Sequence, residues 1–334
     1  MSGGPYPWSM YRGLWSILPA EPTGPYLKGK IVVITGTTSG VGLETTKLLA
    51  KAQPEQLILA VRSIESGEKL LRQCQKLNPG LNGKVLFLDL CDLQSIKDLS
   101  KDLRVEFGRV DLLINNAGIN PNFDPAPMKT TKDGYERVFQ TNVLAPFLTT
   151  ILLLPLLRNS SDPKVLYSGS DTHHVAPHDM IEKSIKNHEN IIRNYNDENK
   201  YHNPSRYFES KLLLQMLTRM SIKHFPKEIS TINVNPGLAM TNLGRDFHFG
   251  FSFKTVYEVV WFLLNARSPK RAARNLTSAV VWNGGSQDYW SECKPAFSEN
   301  TYLYSGNGIL ATEQFYQEMR QEVEKLSPGC TSEI

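Results

Sequence analysis

Short apolar runs alternate with longer amphipathic segments from residue 30 onward, and this alternation constrains the fold more than any other feature of the chain. The runs, several of them rich in β-branched residues, predict strands at 31–35, 56–61, 84–88, 110–114, 164–168 and 229–234, with a weaker seventh at 302–304. The segments between them have apolar residues every three or four positions, which predicts helices at 42–51, 66–77, 93–107, 131–157, 205–224 and 311–326. Strands joined by helical crossovers predict a doubly wound α/β fold with a mostly parallel seven-stranded sheet.

The 334 residues suffice for one large α/β domain, and the chain shows no internal repeat or low-complexity tract. We expect a single domain over residues 30–334, preceded by an N-terminal extension of residues 1–29. Segment 171–206 departs from the alternation, because it is polar and holds five of the seven histidines. We interpret it as an insertion that forms a solvated lid at the rim of the functional site. Residues 242–300 are expected to form a C-terminal substrate-binding region.

Charge and cysteine usage exclude several classes of protein. The net charge of +4 is small and basic residues are interleaved with acidic ones, so nucleic acid is not an expected partner. The four cysteines lie far apart, which favours reduced thiols and a cytoplasmic location. The longest apolar segments, 142–157 and 256–264, are shorter than the roughly 18 residues of a transmembrane helix, so no membrane span is expected. Peripheral membrane contact through Trp8, Trp15 or residues 259–264 stays open.

A glycine-rich turn, Thr35-Gly36-Thr37-Thr38-Ser39-Gly40-Val41-Gly42, joins the first predicted strand to the first helix. Gly36 permits the tight turn, Gly40 allows backbone N–H groups to approach a pyrophosphate, and Gly42 allows close packing of the helix on the strand. The helix N-terminus adds partial positive charge. This context predicts dinucleotide binding, and the candidate contacts are Gly36, Thr38, Ser39, Gly40, Val41 and Gly42.

The end of the second strand indicates which dinucleotide is bound. An acidic residue there would accept hydrogen bonds from a ribose 2′-hydroxyl, as in NAD-binding domains. This strand closes with Leu59-Ala60-Val61-Arg62-Ser63 and has no carboxylate. The guanidinium of Arg62 suits a 2′-phosphate and therefore favours NADP(H). The alternative interpretation is a solvated arginine at a strand end.

Tyr207 and Lys211 lie one helical turn apart on the same face of a predicted helix. Of the thirteen tyrosines, only Tyr26 also has a lysine four residues later, and Tyr26 and Lys30 lie in a stretch where no helix is predicted. A phenol has a pKa near 10, which an adjacent ammonium is expected to lower. Tyr207 is therefore the candidate acid or base for a carbonyl or alcohol oxygen.

Three further motifs occur in order: Asn115-Asn116-Ala117-Gly118, Thr141-Asn142-Val143, and Pro236-Gly237 with Thr241. Alone, the Asn-Ala-Gly and Pro-Gly sequences are ordinary turn chemistry. Together with the glycine turn and the Tyr207–Lys211 pair, the motifs resemble the short-chain dehydrogenase/reductase family from about residue 30 to 241. The resemblance implies a Rossmann fold and hydride transfer between a nicotinamide cofactor and a carbonyl or alcohol carbon.

The resemblance also implies roles for single residues. Asp89 with Leu90 would contact the adenine, Asn116, Ala117 and Gly118 would lie beside the cofactor, Lys211 would reach the nicotinamide ribose, and Pro236, Gly237 and Thr241 would lie at the nicotinamide. Asn142 would hold a water in a proton relay to Lys211. Ser170 would hold the substrate oxygen, with Ser168 as the fallback because Gly169 replaces the usual first serine. From the residues alone, Asp89 could equally cap the following helix or close a turn.

The C-terminal stretch 282–294, followed by a charged helix, resembles fungal retinol-dehydrogenase-like members of the family. This resemblance implies a ketoreductase of secondary metabolism that acts on a bulky apolar polyketide or terpenoid. The alternatives are a retinol- or steroid-type dehydrogenase, a non-redox dehydratase or cyclase, and a protein that only senses the cofactor. A homodimer stays open. The histidines of segment 171–206 lack carboxylate or thiolate support at ligand spacing, so no metal site is expected.

Overall fold

In the computed structural model, which describes residues 16–121, 126–239 and 266–334, a single sheet forms the centre of the fold. Its strands are β1 (Ile31–Thr35), β2 (Gln56–Val61), β3 (Gly83–Phe87), β4 (Leu112–Asn115), β5 (Lys164–Ser168), β6 (Ser230–Val234), β7 (Gln287–Ser291) and β8 (Lys294–Pro295). Their order is β3-β2-β1-β4-β5-β6-β7-β8, and only β8 pairs antiparallel with its neighbour. The doubly wound, mostly parallel sheet is therefore confirmed, with eight strands in the described residues.

The predicted seventh strand at 302–304 is wrong. Thr301–Tyr304 is a 3₁₀ helix, and the side chain of Asn300 caps it by accepting a hydrogen bond from the Tyr302 amide. The strand that follows β6 in the sheet is instead Gln287–Ser291, which pairs with β6 across an irregular register. Its sequence, Gln-Asp-Tyr-Trp-Ser, has no β-branched residue, so the sequence pattern did not distinguish it from a loop.

Helices cover both faces of the sheet. They are α1 (Gly40–Lys51), α2 (Ile64–Leu77), α3 (Leu93–Glu106), α4 (Arg137–Arg158), α5 (Asp179–Lys186), α6 (Ile191–Tyr195), α7 (Asn203–His224), α8 (Pro269–Val280) and α9 (Gly306–Leu326). Alternate residues of β1 point to opposite faces. Ile31 and Val33 join the core formed with α3, α4, α7 and α9, whereas Val32 and Ile34 join the core formed with α1, α2 and α8.

Helix α4 is the apolar centre of the larger core. Within the described ranges it is the one helix long and apolar enough to cross a membrane, but 94% of its most apolar window is buried inside the protein. Its burial identifies it as a core helix. The stretch Gln140–Leu144 within it is a π-helical turn. Such turns widen the helix locally and are frequent at functional sites.

Segment 171–206 is packed against the body of the protein, so the expectation of a solvated lid is wrong. It contains α5 and α6 and two 3₁₀ turns, Asp171–Val175 and Glu198–Lys200. The side chains of Ile181, Ile191 and Tyr195 are buried in the same core as α4 and α9. A few apolar side chains in this mostly polar segment are thus enough to anchor it to the core.

Candidate active site

The glycine turn after β1 packs directly on the turn after β4. Gly36 has φ +69°, and a Cβ on it would lie 2.6 Å from the Cα of Ala117. A Cβ on Gly42 would lie 2.1 Å from the carbonyl oxygen of Gly36 and 2.3 Å from Nδ2 of Asn116. Only glycine fits either position, so the sequence requirement for both glycines is steric.

Asn116 and Thr35 bind these two turns to each other. Nδ2 of Asn116 donates to the carbonyl oxygens of Thr35 and Gly36, both at 3.0 Å. The Thr35 hydroxyl accepts from the amides of Asn116 at 3.1 Å and Ala117 at 3.0 Å. Asn116 therefore shapes the glycine turn as well as lying beside it.

The glycine turn fits a dinucleotide phosphate by its own geometry. Helix α1 begins at Gly40, which has φ +57°, and the preceding Ser39 makes no side-chain cap, so the first amides of the helix are left for another acceptor. Thr38 and Val41 flank this opening in sequence. The Thr37 hydroxyl is fully buried and has no hydrogen-bond partner among the described residues. An orphaned hydroxyl beside open amides is the arrangement that an anionic group would complete.

The turns after β2 and β3 lie on the same edge of the sheet. Arg62 follows β2 directly and its side chain is exposed. Asp89 closes a turn, because its carboxylate accepts from the Cys91 amide at 3.0 Å, whereas Asp92 caps α3. The carbonyl of Leu90 accepts from the Gln140 side chain of α4 at 3.1 Å. The expected adenine contact of Asp89 and Leu90 stays a prediction.

Tyr207, Ser170 and Lys211 meet at the carboxyl end of β5. The Ser170 hydroxyl lies beside the phenol of Tyr207 and lowers its pKa, and it accepts hydrogen bonds from the Thr172 amide at 3.2 Å and the Thr172 hydroxyl at 3.0 Å. Nζ of Lys211 lies 5.5 Å from the centre of the Tyr207 ring and donates to the backbone carbonyl of Ser168 at 2.8 Å. The Ser170 hydroxyl therefore faces the phenol, while Ser168 contributes its carbonyl.

Asn142 lies in the π-helical turn of α4 and joins this group to the turn after β4. Its Nδ2 donates to the Ile119 carbonyl at 2.9 Å and to the Ser210 hydroxyl at 3.0 Å, and its Oδ1 accepts from the Ile119 amide at 2.9 Å. A Cβ on Gly118 would lie 3.2 Å from Oδ1 of Asn142 and 3.8 Å from Nζ of Lys211. The catalytic candidates and the glycine turn are thus one continuous site, while the water relay through Asn142 stays a prediction.

Burial controls the protonation of this site, and the expected lowering of the tyrosine pKa by Lys211 is wrong. Burial raises the pKa of Tyr207 to about 12, although the Ser170 hydrogen bond acts in the opposite direction. Burial also lowers the pKa of Lys211 to about 8. Both shifts favour the neutral form, because a low-dielectric environment penalises charge. The phenol is therefore protonated at neutral pH and is a proton donor.

Gly169, which departs from the family pattern, is explained by Asn233 on β6. A Cβ on Gly169 would lie 1.9 Å from Oδ1 of Asn233, so the asparagine occupies the space that a side chain at position 169 would need. With glycine at position 169, Ser170 and not Ser168 presents its side chain to Tyr207. The sequence alone did not show this because the compensating residue lies 64 positions away.

The Pro236–Gly237 turn follows β6 at the same sheet edge. Gly237 has φ +81°, and a Cβ on it would lie 2.6 Å from the buried guanidinium of Arg267. The Pro236 carbonyl accepts from Asn275 at 3.3 Å. The predicted contact Thr241 lies outside the described residues. Asn235 contacts both this turn and the turn after β5. No role was predicted for it from the sequence, although its position directly before Pro-Gly was a signal.

The histidines next to Ser170 are buried, not solvated. The imidazole of His173 is 1% exposed, and burial lowers its pKa to about 3. Across the described ranges, no group of three or more His, Cys, Asp or Glu side chains could hold a metal ion. The absence of a metal from the mechanism stays a prediction.

Comparisons with known proteins agree with this geometry. The family model described as short chain dehydrogenase matches residues 30–180. Human retinol dehydrogenase 13 is 33% identical over 274 residues, which cover 78% of this chain and 75% of that protein. The short chain dehydrogenase macD of Penicillium terrestre is 34% identical over 236 residues, covering 66% of this chain and 69% of its own.

Solved structures share the fold at low identity. Salutaridine reductase from Papaver somniferum superposes with a TM-score of 0.60 at 19% identity, covering 78% of this chain and 98% of that one. The RhlG/NADP active-site complex from Pseudomonas aeruginosa gives 0.58 at 22% identity, covering 78% and 96%. Sequence similarity and site geometry together show that the chain belongs to the short-chain dehydrogenase/reductase family of oxidoreductases, which act on alcohol and carbonyl groups.

Proposed function

We propose that this chain is an NADP(H)-dependent ketoreductase that interconverts a carbonyl and an alcohol on a bulky apolar substrate of secondary metabolism. The observation that carries the proposal is the meeting of Ser170, Tyr207 and Lys211 at the sheet edge that also bears the glycine turn. A phenol protonated at neutral pH suits the reductive direction, because the carbonyl oxygen must gain a proton as the carbon is reduced.

Each site residue has a defined task in this proposal. The phenol of Tyr207 donates its proton to the substrate oxygen, and the Ser170 hydroxyl, which lies beside the phenol, orients that oxygen. The ammonium of Lys211, held by the Ser168 carbonyl, stabilises negative charge left on the phenol. Asn142 fixes the backbone of Ile119 behind them. When bound, the nicotinamide supplies or accepts the hydride.

The preference for NADP(H) is supported by Arg62. It follows β2 with an exposed guanidinium, and no acidic residue stands at this strand end to bind a ribose 2′-hydroxyl. The structure of RhlG in complex with NADP is among the similar folds. The backbone at Gly36, Gly40 and Gly42 would hold the pyrophosphate, and the segment from Asn116 to Gly118 would line the nicotinamide half.

A bulky apolar substrate is supported by relatives and by the C-terminal region. Among the relatives are the fungal short chain dehydrogenase macD and human retinol dehydrogenase 13, and the latter favours a retinol-type dehydrogenase as the second candidate function. Residues 242–300, which would form the pocket, lie partly outside the described ranges. Four free thiols support the proposed cytoplasmic location. A homodimer and peripheral membrane contact stay proposals.

Cofactor oxidation tests the proposal directly. The purified chain is mixed with NADPH and a panel of bulky ketones, retinal and a carbonyl-free control, and absorbance at 340 nm is followed. Oxidation with ketones, faster with NADPH than with NADH, supports the ketoreductase. Faster turnover of retinal favours the second candidate. Binding of NADPH without oxidation by any carbonyl contradicts a redox function and indicates a cofactor sensor or a non-redox enzyme.

A further inference from the structure

The backbone ladder between β5 and β6 ends just before the site. Its last paired residues are Ser168 and Val234, followed by one hydrogen bond of 2.7 Å from the Gly169 amide to the Val234 carbonyl. Beyond this point one strand leads to Ser170 and the other to the Pro236–Gly237 turn. Adjacent strands are rotated relative to each other, so beyond the ladder the backbone hydrogen bonds between β5 and β6 no longer set the distance between these two loops.

The side chain of Asn235 continues the ladder. Its Oδ1 accepts from the Gly237 amide at 2.9 Å and from the Asp171 amide at 3.3 Å. Its Nδ2 donates to Oδ1 of Asp171 at 2.6 Å and to the Ser291 hydroxyl at 3.1 Å. The residue is 1% exposed, and the two donors and two lone pairs of the amide are all used. This complete pairing fixes the orientation of the amide.

Asp171 is held from a second side. The Tyr289 hydroxyl on β7 donates to the same carboxylate oxygen, and Nε2 of His174 lies 3.7 Å from it. The end of β6, strand β7 and a histidine of its own 3₁₀ turn therefore converge on the residue directly after Ser170.

His173 fixes Ser170 itself. Its Nδ1 lies 2.6 Å from the Ser170 carbonyl and its Nε2 lies 2.7 Å from the Ser298 hydroxyl. A carbonyl only accepts hydrogen bonds, and burial keeps the imidazole neutral, so the proton lies on Nδ1 and the serine donates to Nε2. His173 thus holds the Ser170 carbonyl, and Asn235 holds the next residue, Asp171.

We propose that Asp171 and Asn235 form a clasp that positions the Ser170 hydroxyl relative to the Pro236–Gly237 turn. Both are positioning residues. They act on the site through the backbone of Ser170 and Gly237 and not through a hydrogen bond to Tyr207. The functional part of this inference rests on the proposed function, since it assumes that Ser170 orients a substrate oxygen and that the Pro236–Gly237 turn faces the nicotinamide. A displacement of about 1 Å between such groups is enough to slow a reaction on the order of a hundredfold.

The first test needs no substrate and uses the full chain. Asn235→Asp places a carboxylate against Asp171, so the amides of Asp171 and Gly237 should exchange hydrogen for deuterium about tenfold faster or more. Adding Asp171→Asn restores an amide–carboxylate pair, and exchange should return to within about threefold of the wild type. Mass spectrometry of peptides spanning 169–174 and 235–239 gives the readout.

Asn275→Asp is the matched control. Asn275 is equally buried and donates to the Pro236 carbonyl, but it does not contact Asp171. Asp171→Asn should therefore leave the defect of Asn275→Asp uncorrected. If Asn235→Asp folds only when Asp171→Asn is present, that rescue also supports the clasp. Two results overturn the clasp. One is a wild-type exchange rate in Asn235→Asp. The other is a double variant that recovers neither folding nor protection although Asp171→Asn alone folds.

The second readout tests the positioning role. With a carbonyl that the wild type reduces, Asn235→Asp should lower kcat about tenfold or more while the Kd for NADPH changes by less than about threefold, and the double variant should recover kcat. Fast exchange with unchanged kcat and KM overturns the positioning role. A wild type that oxidises no NADPH contradicts the proposed function instead, and the exchange result still decides whether the clasp exists.

Discussion

Nζ of Lys211 donates a hydrogen bond to the backbone carbonyl of Ser168 at 2.8 Å, and this contact ties helix α7 to the end of β5. The lysine side chain is buried, and burial lowers its pKa to about 8. A neutral acceptor does not offset the desolvation of an ammonium, so the site carries a charge that the fold disfavours. Such a cost is typical of groups kept for function rather than for stability.

Lys211→Met is therefore predicted to stabilise the fold at neutral pH. The folded pKa of about 8 lies below the ordinary 10.5, so the unfolded chain binds more protons between these values and stability rises with pH across this window. Below pH 8 the full desolvation penalty of the ammonium applies, so Lys211→Met should raise the free energy of unfolding by roughly 1–3 kcal/mol. Urea unfolding at pH 7 and pH 10 measures the gain, which should shrink at the higher pH. A variant that is less stable at pH 7 would show that the Ser168 hydrogen bond outweighs desolvation.

Gly169→Ala is predicted to destabilise the fold by about 2–4 kcal/mol because the new Cβ would overlap Oδ1 of Asn233. Oδ1 of Asn233 has no hydrogen-bond partner among the described residues, so shortening this side chain relieves the overlap without orphaning another donor. Gly169→Ala with Asn233→Ala should recover most of the loss in urea unfolding. Gly108→Ala, where nothing lies within 4 Å of the new Cβ, is the matched control. Additive losses in the double variant would refute the steric explanation.

The two serines at the end of β5 should differ sharply when each is changed to alanine. Ser170→Ala removes the hydroxyl that lies beside the phenol of Tyr207, so kcat should fall about a hundredfold. Ser168→Ala keeps the backbone carbonyl that binds Lys211, so kcat should stay within about threefold. Steady-state NADPH oxidation compares them. The reverse order of effects would assign the substrate oxygen to Ser168.

Arg62→Ala is predicted to lower the ratio of kcat/KM for NADPH to that for NADH by about tenfold or more, because the guanidinium is the expected partner of the 2′-phosphate. Arg62 is exposed, so folding should be unaffected. Lys69→Ala, an exposed cation on α2, provides the control for a general change in charge. An unchanged ratio would show that Arg62 does not select the cofactor.

The sequence predicted the parts of the fold where one residue pattern dominates. Buried parallel strands such as β1 and β2 are continuous apolar runs, so six strands were located from periodicity. Gln287–Ser291 was missed because its place in the sheet depends on the exposed edge of β6, which is a tertiary feature. The buried parts of segment 171–206 were missed for the same reason, since the packing of distant helices such as α4 and α9 against it removes its apolar residues from solvent.

The sequence predicted which side chains lie together at the end of β5 but not their electrostatics. The spacing of Tyr207 and Lys211 correctly placed both side chains together, because one helical turn determines that distance. It did not reveal that burial raises the pKa of the phenol and lowers that of the ammonium, because desolvation depends on everything packed around the pair. The clasp of Asp171 and Asn235 was equally invisible, since the two residues lie 64 positions apart.

Tyr207→Phe tests the central claim, that the half-buried phenol donates the proton to the substrate oxygen. Phenylalanine preserves the ring and its packing while removing the hydroxyl, so NADPH binding and thermal stability should stay close to the wild type. The measurement is kcat for NADPH oxidation with a ketone that the wild type reduces. We expect a loss of about a thousandfold with the Kd for NADPH changed by less than about threefold. Retention of more than about a tenth of the wild-type kcat would contradict general-acid catalysis by Tyr207.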